Sequence, residues 1–377
     1  MKILYAACRN DPMDPDAASG VDYCILNQFR ERNHELLIVG PFKDEPSKFE
    51  LLYRKLHRIF SRKLHAKFSV AYLRRSAKAV EKAIKEFQPD LIWTKDLIPL
   101  VYLRTKYPIV FRSDALFAGT ATQWPTYSKL ETMRMLKWEK AAVSKSMILI
   151  TESEWAKQIA ILEYNFPSNQ ILVTPANASL PKQMTLNHVP QKGISSKHLN
   201  LLFVGRDFTR KRVDIALQIV RLLHKANINA VLRIVGNTGE DEKGVRFMGL
   251  YGKKDPHQLE DYVNNYRWAH FLIHPAAYEA GGIACSEAAG FGVPTITNAA
   301  GGLETTVKNG VSGIVLPFNS PAEAYVETLS YYLTHEDEYS KLCESTKARF
   351  EEELNWDVAF NKIIEKINEV VLKNEDL

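Results

Sequence analysis

At 377 residues the chain is long for a single domain and suits two of ordinary size. Its 46% hydrophobic and 25% charged content is that of a globular protein. A net charge of +5 is too small to point to a nucleic-acid partner, but it favours phosphate-bearing ligands where the cations cluster. The four cysteines (Cys8, Cys24, Cys285, Cys343) are scattered, show no zinc spacing and are expected to be reduced thiols. No run approaches the ~18 apolar residues of a membrane span, and MKILYAACRND reads as a first strand rather than a signal peptide, so a cytoplasmic location is expected.

In chain order, the apolar run at 2–7 predicts a buried strand, followed by a polar loop, Gly20, a helix over 21–32 and a second strand at 35–39. Strand, glycine-bearing loop, helix, strand is how a doubly wound sheet begins, although G-x-G-x-x-G is absent. The stretch 48–87 is helical and strongly basic. Leu52, Leu56, Ile59, Phe60, Leu64 and Phe68 recur at helical spacing among Arg54, Lys55, Arg58, Arg62, Lys63 and Lys67. One reading is a solvated face over a packed apolar stripe. The other is docking of the region 52–68 to anionic lipid headgroups or a lipid-linked diphosphate, which would put the protein peripherally on the inner face of a membrane.

Further strands are expected at 90–93, 109–111, 147–151 and 171–173, with helices at 132–143 and after Ser153. Asp114 falls just beyond one of these strands, where open α/β sheets bind ligands; its plain alternative is a loop or cap carboxylate. The turn-rich segment 175–198 reads as a linker. The pattern then restarts, with strands at 199–204, 230–235, 245–248, 269–274, 295–297 and 313–316, and helix from 322 onward. The first domain is thus drawn at 1–190, the second at 199–355, and a C-terminal helix at 356–377 is expected to pack back on the first.

Pro275 to Ile296, PAAYEAGGIACSEAAGFGVPTI, carries the densest signal. It places Glu279 in a loop at a strand's carboxyl end, Gly281, Gly282 and Ile283 at a helix N-terminus, and Glu287 about a turn inside. Backbone N–H groups there form an anion cradle, and the two carboxylates can accept from ligand hydroxyls. A phosphate flanked by polyols is a nucleotide sugar; the alternative is a crossover whose glycines only serve packing. Arg206 and Lys211 lie on a glycine turn beside a helix start and can reach one diphosphate, while Arg210 and Arg212 read as surface charges.

The E-x7-E element Glu279–Glu287, the element Gly205-Arg206 with Lys211 and Asp214, and the run EAAGFGVPTITNAAGGLETTVKNGVSGIVLP together resemble the retaining glycosyltransferase family 4, bacterial type. Gly20, RSDALFAG and TESEWA match more loosely. The resemblance implies the GT-B fold, two Rossmann-like parallel-sheet α/β domains facing each other across a deep cleft. It implies transfer of a hexose-type sugar, with retention, from a UDP- or GDP-linked donor to a glycan or lipid-linked acceptor in surface polysaccharide or glycolipid assembly. No cofactor and no metal are expected.

By position, Arg206 and Lys211 would neutralise the donor diphosphate, and Gly281, Gly282 and Ile283 would offer N–H groups. Glu287 would take the ribose, and Glu279 would face the donor sugar. Backbone at Met248 and Gly249 would read the base, Gly20 would admit the diphosphate, and Asp114 would bind the sugar or orient the acceptor. Competing readings are a non-catalytic nucleotide-sugar-binding protein and a nucleotide-sugar epimerase of the same fold.

Overall fold

The computed structural model of the chain describes residues 1–7, 9–42, 46–60, 69–125, 127–186, 193–195 and 198–375, with the side chains of 57–60 and 371–375 excepted. The chain divides into two units, Met1–Thr174 with Phe360–Leu377, and Pro175–Ala359. The segment from Pro175, read from sequence as linker, therefore belongs to the second unit, and it contains a helix, Lys182–Leu186.

The first unit is built on β1 (Lys2–Ala6), β2 (Glu35–Val39), β3 (Leu91–Thr94), β4 (Ile109–Ser113), β5 (Ile148–Thr151) and β6 (Ile171–Val173). They form one sheet in the order β2-β1-β3-β4-β5-β6, and every pairing is parallel. Continuous apolar runs such as LIWT and ILIT are buried along their whole length, as a sheet covered by helices on both faces requires. The helices start where sequence supplies a cap: Ser69, Ser128 and Ser153 each accept a backbone N–H at the start of Val70–Phe87, Lys129–Val143 and Glu154–Tyr164. The C-terminal helix Trp356–Glu375 contributes Phe360 to this unit, its ring edge-on to Phe29 at 4.7 Å and 6.2 Å from Trp93.

The basic stretch holds a helix at Lys48–Phe60; residues 61–68, including Arg62, Lys63, Leu64, Lys67 and Phe68, lie outside the described residues, as does Cys8. Tyr53 donates to Glu131 Oε1 at 2.7 Å and Glu50 pairs with Arg134, so one face of this helix meets Lys129–Val143. Of the apolar stripe, only the side chains of Leu52 and Leu56 are described; they are 54% and 45% exposed, and Phe49 beside them is 85% exposed, so the packed reading does not hold at these positions. Cys24, Cys285 and Cys343 are not in disulfides, as expected of reduced thiols. No helix among the described residues is long and apolar enough to cross a membrane.

The second unit repeats the architecture with β7 (Leu199–Val204), β8 (Ala230–Val235), β9 (Val245–Gly249), β10 (Phe271–His274), β11 (Thr295–Asn298) and β12 (Gly313–Leu316). The order is β12-β11-β10-β7-β8-β9, again parallel throughout. Leu201, Phe203, Ile219, Leu232, Phe271 and Tyr325 fill one side of the sheet, and Leu202, Val263, Tyr266, Leu272, Ala288 and Phe291 fill the other. Strand order reverses between β7 and β10 here, and between β1 and β3 in the first unit. Loops leaving adjacent strands diverge at such a reversal, which opens a crevice at the carboxyl ends where ligands of doubly wound sheets bind.

Candidate functional site

The reversal in the second unit brings together the loops after β7 and β10. β7 ends at Val204, and Gly205 follows; a Cβ there would stand 3.0 Å from Lys211 Cγ, so the missing side chain lets Lys211 fold across the turn. Asp207 caps the four-residue helix Phe208–Lys211 by accepting from Arg210 N at 3.0 Å, and Arg212 ends it at φ +55°. This short turn presents both Arg210 and Lys211 to the loop after β10. That loop is tied to it by Ala277 N donating to Arg210 O at 2.9 Å.

Three nitrogens converge on Glu279. Lys211 Nζ, itself buried, makes a short contact with Glu279 Oε2, Arg210 Nη1 lies 3.0 Å from the same oxygen, and His274 Nε2 lies 3.4 Å away. Arg210 Nη1 also donates to Tyr278 O at 2.9 Å. Burial opposes the charge on Glu279, but Lys211, His274 and Arg210 outweigh it and hold the carboxyl well below its usual range. His274, at the end of β10, is fully buried. Burial and then the Lys211 charge push it down to about 4, against the pull of Glu279, so at neutral pH the ring is uncharged. Its Nδ1 has no hydrogen-bond partner among the described residues.

Arg210, expected at the surface, is thus an inward cation sharing Glu279 with Lys211. Arg206 differs from expectation in the opposite sense: its side chain is exposed, and its carbonyl accepts from Asn237 Nδ2 at 3.3 Å. The second carboxylate of the pair stands on the helix that follows the loop after β10.

That carboxylate, Glu287, sits one turn into the helix Ile283–Gly290 and is 1% exposed. Tyr262 and Tyr266, one turn apart on the helix Pro256–Trp268, donate to its Oε2 at 2.6 and 2.8 Å. Lys253 Nζ lies 2.8 Å from Oε1 and donates to Ser179 O at 2.9 Å. Burial first, and then the Glu287 charge, drive both tyrosine hydroxyls well above their ordinary range. None of Lys253, Tyr262 and Tyr266 carries a spacing signal in the sequence; they meet Glu287 only through the packing of helix on sheet.

Gly282 is the N-cap of Ile283–Gly290 at φ +82°, and a Cβ on it would stand 2.8 Å from Leu303 Cδ2. Gly281 precedes it, buried, and Ile283 opens the helix half-buried. Met248 and Gly249 close β9; Gly249 has φ +75° and accepts from Gly236 N at 2.8 Å. In the first unit, Gly20 is the N-cap of Val21–Glu31 at φ +81°, after Ala18 and Ser19 at φ 47° and 61°. Asp114 is exposed just past β4, beside the buried pair Arg112–Glu152 at 2.5 Å. Among the described residues no group of three or more His, Cys, Asp or Glu side chains is placed to hold a metal ion.

Two family models match adjoining parts of the chain: Glycosyltransferase Family 4 over residues 23–176, and Glycosyl transferases group 1 over 185–349. A D-inositol 3-phosphate glycosyltransferase of Thermomonospora curvata is 24% identical over 62% of this chain and 59% of its own. The chain spans about half the length of the curated relatives it matches. Among solved structures, WaaG, a glycosyltransferase involved in lipopolysaccharide biosynthesis, superposes with a TM-score of 0.64 over 95% of this chain and 96% of its own, at 18% identity. Anabaena Alr3699/HepE in complex with UDP-glucose superposes with a TM-score of 0.64 over 100% of both chains, at 14% identity. With two parallel six-stranded sheets matching these folds and both family models in succession, the chain belongs to the family 4 type of glycosyltransferase, of the GT-B fold.

Proposed function

We propose that this chain transfers a hexose-type sugar, with retention of configuration, from a UDP-linked donor to a glycan or lipid-linked acceptor in surface polysaccharide or glycolipid assembly. The observation that carries the reading is the pairing of Arg210 and Lys211 with Glu279 at the strand reversal of the second unit. Fixed cations next to a carboxylate suit a pyrophosphate joined to a sugar: the cations take the growing charge of the leaving diphosphate, and the carboxylate takes a sugar hydroxyl. UDP as the nucleoside diphosphate is supported by the structural relative described with UDP-glucose.

In this reading Lys211 and Arg206 stabilise the departing diphosphate, and Glu279 faces the donor sugar. The N–H groups at Gly281, Gly282 and Ile283 meet the phosphates, and Met248 and Gly249 border the base. Glu287 accepts from the ribose by exchanging one of its three present donors, Lys253 being the one joined to it by charge. Gly20 keeps its expected role toward a diphosphate, and Asp114 toward a sugar or acceptor. Electrostatic preorganisation supplies the main rate effect, because the donors are fixed before charge develops.

An acceptor at an anionic membrane surface is supported by the helix Lys48–Phe60, where exposed Phe49, Leu52 and Leu56 stand beside Lys48 and Lys55. The test is incubation with a panel of UDP-hexoses and candidate acceptors, following UDP release and product mass. UDP release coupled to a glycosylated product is expected. Saturable UDP binding without any product across the panel would favour the binding-protein reading, and a changed hexose on the nucleotide would favour the epimerase.

A further inference from the structure

Among the described residues, Oε2 of Glu279 meets two cations, Arg210 and Lys211, and besides them the neutral His274. Asp207 also approaches Arg210, at 3.5 Å from Nε, but that carboxylate is half exposed and its attraction is screened. The cluster thus has more positive than negative charge around one oxygen. Both cations are held there by the fold: Asp207 closes one end of their turn, Arg212 at φ +55° closes the other, and Tyr278 O and Ala277 N clamp Arg210 to the opposite loop. A diphosphate carries more negative charge than one carboxylate and offers more oxygens to a guanidinium fork and an ammonium. An anion of that kind entering the strand reversal competes with Glu279 for groups already in place.

Resting on the donor reading above, we infer that Arg210 is a further phosphate-binding cation, and that the donor's diphosphate exchanges with Glu279 for Arg210 and Lys211. The exchange frees the Glu279 carboxylate to accept a hydrogen bond from the donor sugar. Sugar recognition is thereby made conditional on a diphosphate: a nucleoside monophosphate, which lacks the second phosphate, leaves Glu279 engaged. No covalent step is involved, only a change of partner for two cations and one anion.

Calorimetric titration of the full chain with UDP and with UMP tests the exchange, in the wild type, Arg210→Gln and Glu279→Gln, each first shown to melt cooperatively. Arg210→Gln is expected to weaken UDP binding about tenfold, the loss of one charge-assisted contact, while UMP binding stays within about twofold. Glu279→Gln, which removes the competing anion, is expected to tighten UDP severalfold and to slow transfer from the UDP-hexose. Unchanged UDP affinity in Arg210→Gln, or weaker UDP binding in Glu279→Gln, overturns the exchange while leaving the donor reading standing. A wild type that binds neither UDP nor inorganic pyrophosphate overturns both. Should Glu279→Gln fail to fold with its two cations unpaired, Arg210→Gln decides alone, since it keeps the Lys211–Glu279 pair.

Discussion

The two strand reversals are built alike and charged differently. In the first unit, Arg9 pairs with Asp96 at 2.8 Å, and Lys95 pairs with Asp22 at 2.8 Å while Tyr5 donates to the same carboxylate at 2.5 Å. Each of these cations has a carboxylate of its own. In the second unit Arg210 and Lys211 share one buried carboxylate, Asp207 reaching Arg210 only from a half-exposed position, and the histidine beside them is held neutral. Matched pairs balance their own desolvation and leave little for a ligand to gain, whereas a shared carboxylate leaves attraction over for an anion. The same topology therefore yields a self-neutralised edge in one unit and an anion-receptive edge in the other.

Substitutions on either side can break or sharpen that contrast. The largest effect is expected from Arg112→Ala in the first unit, which strands Glu152 as an uncompensated buried carboxylate. It should cost about 3–5 kcal/mol in denaturant unfolding. Melting of the remaining folded protein should still rise with UDP, because the second unit keeps its cations. Next, Lys211→Ala should lower transfer by about 100-fold or more in a UDP-release assay, the loss typical of one fixed donor to developing negative charge.

A smaller effect separates the units by pH. His274 is neutral when folded and falls to about 4, so the folded form binds fewer protons than the unfolded one as pH drops below ~6.5. Stability from this group is full above that value and is lost progressively as pH falls toward 4, by about 2 kcal/mol at pH 5. Chemical denaturation across this window should show less acid sensitivity in His274→Gln than in the wild type; equal slopes would contradict the buried neutral ring. The smallest effect is expected for Arg9→Ala, whose side chain is 60% exposed: under about 1 kcal/mol, with UDP affinity unaltered.

Much of this was legible from residues alone, for physical reasons. Short, mostly apolar runs such as LNLLFV and ILIT, bounded by turn residues and too short for helices, read as strands covered on both faces, so both sheets emerge from the pattern. Glu279, Gly282 and Glu287 announce a loop, an N-terminus and a first turn by their spacing. Arg210 was hidden, because in Arg210-Lys211-Arg212 the direction of each cation depends on a four-residue helix ended by a positive φ, which composition does not reveal. Lys253, Tyr262 and Tyr266 were hidden because a long-range contact leaves no periodic trace. The exposed Leu52 and Leu56 show the reverse error: helical spacing identifies an apolar face but not what, if anything, covers it.

The central claim, that the second unit's strand reversal receives a nucleoside diphosphate through Lys211 and its neighbours, is tested most directly by calorimetric titration of the wild type and Lys211→Ala with UDP at two salt concentrations. The account predicts saturable one-site binding in the wild type that weakens with salt and is lost or greatly reduced in Lys211→Ala. Equal binding by the two proteins, insensitive to salt, would contradict it.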